Sequence, residues 1–369
     1  MKRHPLIFAA ADDPNAIVMR CALQQIGSDA VHSPHAWHPG LDPTSIEIAA
    51  DTPLQAQGGL AGTQISAVWN RRRRPLQRMP GCHPDDFAFV RDEWQLLHDN
   101  VFVLQRQLSP CLWVNPPAGA RDAENKLLQL QHARALGLNI PATLVSNDPA
   151  AIRRFVGKQR SVIYKSFMPH TWQDAGGRLY NVSVPLLDPD TLPDDAALRL
   201  CPGIYQAFVD KRADLRVVIV GDHLFATRIQ RDDGSAFVDW RPRTYLNDCV
   251  ARSCTLPQPV IDRLQTLMRA LGIVYGAVDL VEDRHSNLHF LEVNQSGQFG
   301  FVEEWAPELP ILGAFASMLA QGRVDYSLAD AARVRLADCR THDLYLAWAE
   351  RQPAAGDTRD WVVTAEQAH

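Results

Sequence analysis

The chain has 369 residues, of which 37 are Lys or Arg and 42 are Asp or Glu, for a formal charge of −5. That length exceeds one typical hydrophobic core and predicts two or three domains. The slightly acidic balance gives no global field for nucleic acid, and no window approaches about 18 uncharged apolar residues, so no membrane span is expected. Seven cysteines, Cys21, Cys82, Cys111, Cys201, Cys249, Cys254 and Cys339, are scattered without metal-ligand spacing. In a chain of this size such a set reads as reduced thiols rather than a disulfide framework. The N-terminal MKRHPLIFAAADDPNA turns acidic and helix-capping after a short apolar run, which is not a signal-peptide pattern. The expectation is a cytoplasmic protein with neither a nucleic-acid nor a membrane partner.

Leu6–Ala11 reads as a short apolar strand, and Asp12, Asp13, Pro14 and Asn15 supply cap chemistry for a helix through Gln25, closed by Gly27. Residues 30–64, rich in Pro, Gly and His, carry little periodic signal. Ile65–Trp69 is a second strand, and the basic run Arg71–Arg74 after it reads as a solvated edge or an anion-binding loop. Pro84–Leu104 reads as a helix. A boundary falls at Asn115–Pro117, where consecutive prolines forbid helix continuation. Asp122 then caps a helix to Leu136, with Leu127, Leu130 and Ala133 on one face and Gly137 ending it. Thr143–Ser146 is extended, Asp148-Pro149 starts a helix through Val156, and Ser161–Lys165 is a strand. Residues 169–180, with Gly176-Gly177, read as a mobile loop. Residues 185–203 hold four prolines and several acids and read as a connection with little regular structure. Ile204–Val209, Leu215–Val220 and Leu224–Ile229 are strands, the last two joined at Gly221-Asp222. Residues 258–271 form an amphipathic helix and Pro310–Ala320 another; the tail after 325 is helical in part, then polar.

The most informative segment is GAVDLVEDRHSNLHFLEVNQSGQFG, residues 276–300. Two apolar runs, Ala277–Val281 and Leu288–Val293, flank the polar turn Asp283–Asn287, a hairpin signature. Antiparallel pairing about that turn sets Asp279 opposite Glu292. Alternation then gives Glu292 and Asn294 one face, shared with Asp279. Burying two unpartnered carboxylates costs several kcal/mol, roughly the penalty for unpaired ions. A hard divalent cation with oxygen ligands removes that cost, and Mg²⁺ held by few carboxylates also touches substrate phosphates. The alternative, acids facing water, sits poorly with the apolar flanks.

Other residues carry weaker signals. Lys165 closes the strand VIYK ahead of Phe167 and a Gly-containing loop, and a lysine in a strand is usually a surface residue. Arg228 shares a face with Leu224 and Ala226, where a cation needs an anion. A phosphate or a substrate carboxylate would serve, and so would a salt bridge to Asp214. Asp239-Trp240-Arg241 sets an aromatic between opposite charges, in the manner of a substrate rim.

The acid–acid–amide set resembles the metal site of the ATP-grasp ligases. Further stretches resemble one branch of them, the microviridin-type ligases, also called graspetide or ω-ester peptide synthetases. They are VWNRRRRP (68–75), LWVNPP (112–117), KLLQLQHARALGLNIPATLVSNDPAAIRRF (126–155), QAFVDKRADLRVVIVGDHLFATRI (206–229), DWR (239–241) and LEVNQSGQFGF (291–301), and they span most of residues 65–301. Residues 166–203 do not match the family residue by residue, and Gln295-Ser296 stand where many relatives have Pro and another small or polar residue.

The resemblance implies an ATP-grasp fold of α/β and α+β parts. An N-terminal α/β pre-ATP-grasp domain would span residues 1–115, a central lid domain 116–203, and a C-terminal metal-binding domain 204–325, with a helical and polar tail over 326–369. It implies ATP, with Lys126 and Lys165 on the phosphates, Gln206, Ala207, Phe208 and Val209 as the adenine linker, and Asp214 among the nucleotide-binding residues. It implies Mg²⁺ held by Asp279, Glu292 and Asn294, and places Arg216, Arg228, Arg241 and Lys165 in catalysis. The implied reaction phosphorylates Asp or Glu side chains of a ribosomally made precursor peptide and closes ester or amide rings with Ser, Thr or Lys side chains. Leader binding and a homodimer are implied as well. Two other readings stay open: an ATP-grasp ligase joining two separate molecules, and a non-catalytic nucleotide- or peptide-binding module.

Overall fold

Capping chemistry organises the first unit. The computed structural model describes residues 3–10, 13–33, 45–50, 52–57, 65–71, 79, 81–108, 111–167, 171–173, 179–181, 184–231, 233, 238 and 249–351. After strand β1 (His4–Phe8) the Asp13 carboxylate accepts from the Asn15 and Ala16 amides and starts α1 (Pro14–Gln25). Gly27, at φ 71°, follows the helix end. Then come β2 (Val31–Ser33), a hairpin of β3 (Ser45–Ala49) and β4 (Thr52–Gln57), β5 (Ile65–Asn70), α2 (Phe87–Leu108) and β6 (Leu112–Val114). β2, β1, β5 and β6 pair in that order, all parallel. The stretch without periodicity thus holds β2, β3 and β4.

The helix predicted from Asp122 is two helices, α3 (Pro117–Ala123) and α4 (Lys126–Ala135). Asn125, not Asp122, is the cap of the second, its Oδ1 accepting from Leu127 and Leu128 at 3.1 and 3.0 Å. Asp122 is spent in the last turn of α3, whose Asp122 carbonyl accepts from Asn125. There follow β7 (Thr143–Ser146), α5 (Pro149–Gln159) capped by Asp148, β8 (Val162–Lys165), a hairpin of β9 (Thr171–Gln173) and β10 (Leu179–Asn181), β11 (Leu186–Leu187), α6 (Asp195–Leu200) and β12 (Gly203–Ala207). β11, β8, β12 and β7 form an antiparallel sheet. Two expectations are corrected here: β9 and β10 pair where a loop was expected, and β11 and α6 occupy the proline-rich connection. The prolines punctuate these elements from outside, and Asp194 caps α6 at the Ala197 amide.

The third group is β13 (Lys211–Val220), β14 (His223–Arg231), β15 (Cys249–Cys254), α7 (Gln258–Ala270), β16 (Tyr275–Asp283), β17 (Leu288–Asn294), α8 (Gly300–Trp305), α9 (Ile311–Gln321), α10 (Leu336–Arg340) and α11 (Asp343–Ala349). Its sheet runs β15-β14-β13-β16-β17. One face, with Leu215, Val217, Ile219, Val278 and Leu280, packs on Leu264, Leu267 and Met268 of α7 and on Ala133 of α4. The other, with Val218, Val220, Tyr275 and Ala277, shares a core with Ile7, Trp69, Val114, α1 and α9. The parallel sheet and the five-stranded sheet are thus joined by one hydrophobic core, to which Tyr326, Val334 and Cys339 also belong. The four-stranded sheet has its own core around Ile152, Val156, Val162, Leu198 and Tyr205. All seven cysteines are free. Among the described residues, no helix is long and apolar enough to cross a membrane.

Glu303 ties the later segments to this core. Its carboxylate accepts from the Leu312 amide at 2.7 Å and the Leu336 amide at 3.2 Å, and burial pushes its pKa up. Glu303→Ala leaves both amides buried without an acceptor, at about 1–3 kcal/mol each. Chemical denaturation is expected to show a lower midpoint with an unchanged slope.

Candidate active site

The pairing of β16 with β17 sets Asp279 opposite Glu292 and Ala277 opposite Asn294, the register that the spacing predicts. Residues directly opposed in a ladder share a face, so the two acids and the amide point the same way. Beyond Asp279 a bulge shifts the register, returning Leu280 and Phe290 to the apolar side. Arg216 on β13 lies opposite Asp279 and so joins this face. Its Nη1 donates to Asp279 Oδ1 at 2.8 Å, with the two side chains only 8% and 12% exposed, and its Nη2 donates to the Gln298 carbonyl. Lys126, the first residue of α4, forms an ion pair with Glu292. The Asn294 Oδ1 accepts from the Ser296 amide at 3.1 Å.

Two carboxylates and an amide oxygen are hard donors, and the set fits Mg²⁺. Among the described residues no group of three or more His, Cys, Asp or Glu could hold a metal ion by itself. The set is therefore short of a closed cage, as suits a cation that completes its shell with water and substrate oxygens. The adjacent turn acid is not part of it. Asp283 accepts from the His285 and Asn287 amides, the Asn287 side chain and bonds the His289 ring, and these contacts hold its carboxyl far below the usual range.

The loop after β17 is held from two sides. Asn115, just past β6, is 2% exposed; it accepts from the Val274 and Tyr275 amides and donates to the Tyr275 and Gln295 carbonyls. The Tyr275 hydroxyl donates to the Gly297 carbonyl at 2.5 Å. Burial pushes that phenol up to about 12, so it stays a donor. A side chain at Gly297 would sit 2.5 Å from the Ala277 Cβ and 2.9 Å from Arg216 Nη2, so glycine lets Arg216 lie against the loop. Neither Asn115 nor Tyr275 is marked by residue type; Asn115 falls in the LWVNPP stretch, and Tyr275 falls in none of the stretches that carry the resemblance.

A second group sits on the four-stranded sheet. Lys165 Nζ donates to Gln206 Oε1 at 2.8 Å, and Gln206 Nε2 donates to Thr143 Oγ1 at 3.0 Å. Gln206 is 1% exposed, so its amide meets the Lys165 ammonium from a buried position on the neighbouring strand. The Ala207 and Phe208 amides donate to the Ala142 and Ser161 carbonyls at 2.8 and 3.0 Å, so these two N–H groups are engaged within the protein; Val209 lies beyond the last paired residue.

Arg228 is placed differently from its expected role. It pairs with Leu215, which pairs with Leu280, so it lies across the sheet from Asp279. Its anion is the buried Glu282, shared with Arg212, and not Asp214. Asp214, on the Arg216 side by alternation, receives Lys211 Nζ at 2.8 and 2.7 Å. Arg241, with Asp239 and Trp240, lies outside the described residues.

The three-part arrangement, with a lysine-bearing antiparallel sheet beside an acid-bearing one, is the ATP-grasp ligase fold. Within that class the architecture is that of the macrocyclases acting on ribosomal peptides. The chain is similar to macrocyclase MdnC from Microcystis aeruginosa MRC, solved bound with precursor peptide MdnA, at 25% identity and TM-score 0.72 over 85% of this chain and 98% of that one. It is similar in fold to the Chryseobacterium gregarium RiPP-associated ATP-grasp ligase in complex with ADP and a leader and core peptide, at 22% identity and TM-score 0.75 over 86% and 96% of the two chains. The fold also matches ATP-grasp ligase PsnB complexed with minimal precursor, Mg and ADP, at 20% identity and TM-score 0.67 over 86% and 98%. Compared by sequence, the chain matches no protein-family model and no curated protein.

Proposed function

We propose that this chain is an ATP- and Mg²⁺-dependent ligase that activates Asp or Glu side chains of a ribosomally made precursor peptide and closes them into rings. The observation that carries the reading is the Asp279, Glu292 and Asn294 face, flanked by Arg216 and Lys126, in a fold shared with MdnC. Mg²⁺ held by these three residues supplies neutralisation of the charge on the transferring phosphoryl group. Lys126 and Lys165 hold the nucleotide phosphates, Gln206 orients Lys165, and Val209 with the end of β12 receives the adenine. Arg216, fixed against Gly297, steadies the charge that develops as a carboxylate oxygen attacks the γ-phosphorus and ADP departs. A hydroxyl or amine of the same peptide then attacks the acyl phosphate and releases phosphate. No enzyme side chain is the nucleophile; catalysis rests on positioning and electrostatics. In this reading Arg228 supports the sheet through Glu282 and does not touch substrate, nucleotide lies between the four- and five-stranded sheets, and the reaction takes place in the cytoplasm, where its seven thiols stay reduced.

Mass spectrometry tests the reading. With ATP, Mg²⁺ and its cognate precursor, the enzyme is expected to lower the peptide mass by one water per link. Mild alkali restores the mass of esters and leaves amides unchanged. A gain equal to an added amino acid would show instead a ligase that joins separate molecules.

A further inference from the structure

Arg71 is the one residue of the basic run Arg71–Arg74 that the structure describes, and it is no solvated edge: its side chain is 5% exposed. Its amide donates to the Phe8 carbonyl at 3.0 Å, which prolongs the β1–β5 pairing at the carboxyl ends of both strands. In the order β2-β1-β5-β6 the chain leaves β1 toward one edge and returns on its other side with β5. Open parallel sheets bind ligands outside the carboxyl ends of their strands at such switch points.

The guanidinium is fixed in place. Nε donates to Asp13 Oδ2 at 2.8 Å, while Asp13 Oδ1 caps α1, and Cζ lies 5.5 Å from the Trp69 ring centroid. Alternation puts Arg71 on the face of Trp69 and Ala67, the face that joins the core of the five-stranded sheet. The charges of Arg71 and Arg216 both act on the Tyr275 phenol, whose hydroxyl anchors the loop beside the acid pair. The cations around the acid face are engaged: Arg216 with Asp279, Lys126 with Glu292, Lys211 with Asp214. Asp13 takes only Nε of Arg71, which leaves the outer edge of the fork, the edge that grips carboxylates in bidentate fashion.

We propose that Arg71 forms a carboxylate subsite on the parallel-sheet side of the cleft and receives an acidic side chain of the substrate peptide, with Asp13 as its positioning residue. The proposal rests on the ligase reading above. Arg71→Lys in the full chain keeps the charge and loses the fork. Its KM for the peptide is expected to rise on the order of tenfold or more, with kcat little changed. Calorimetric affinity for ADP with Mg²⁺ is expected to match wild type, which also shows that the variant is folded. Asp13→Asn keeps both the cap and Arg71 and is expected to raise the same KM by a smaller factor. Wild-type KM in both variants would reduce Arg71 to a brace for α1 and overturn the subsite. Failure of the wild-type enzyme itself to process any acid-bearing peptide, with nucleotide bound, would overturn the ligase reading instead.

Discussion

Glu292→Gln is expected to cut ADP formation by on the order of 10³-fold and to leave a folded protein. The substitution keeps size, register and one oxygen, so β17 still pairs with β16. What goes is a negative charge that must face both a divalent cation and Lys126. The Lys126–Glu292 pair is 25% and 19% exposed on its two sides, so water softens the loss of the pair. Asp279→Asn is expected to behave less cleanly. Its partner Arg216 is 8% exposed and would be left as a buried cation without its anion, a change that costs about 3–5 kcal/mol. Turnover and melting temperature are therefore expected to fall together at Asp279, and turnover alone at Glu292. Near-normal ADP release by Glu292→Gln would sink the metal assignment.

Lys165→Ala is expected to weaken nucleotide binding by about 10–100-fold, since a hydrogen bond to a charged group contributes about 1.5–3 kcal/mol. Lys165 ends a strand, and Gln206 fixes its ammonium from the neighbouring one, so little entropy is left to lose when a phosphate arrives. Gln206→Leu serves as the companion variant. It leaves the charge in place but frees the side chain and strips Thr143 of its donor, and it is expected to weaken binding by a smaller factor. An unchanged calorimetric affinity in Lys165→Ala would place this lysine outside the nucleotide site.

The hairpin was legible from sequence because its signals are local. Period-two alternation, a polar turn and three oxygen-bearing side chains lie within one stretch of chain, and the register follows from the turn. Arg228 was misread because alternation fixes a residue's face only relative to its own strand. Which face turns toward the acids depends on how β13 pairs with β14 and β16, a long-range fact. Asn115 escaped for a similar reason, since all its partners lie on residues 274, 275 and 295. Asp122 was taken as a cap because Asp is a good one; Asn125 is nearer the helix start and won. The strands β2 and β6 are three residues each, too short for any period to show.

The hydrogen bonds of Asn115 and the core shared by α1, α9 and both flanking sheets have a mechanical consequence. Parting the parallel sheet from the five-stranded one would open a continuous apolar interior, so those two layers form one block. The four-stranded sheet has its separate small core. Lys126 belongs to the first block, since α4 is packed against β17 through Gln129 and its bonds to Val293. Lys165 belongs to the second. The two ammonium groups therefore stand on separately cored bodies, and in the proposed reading a nucleotide that touches both lysines ties those bodies together.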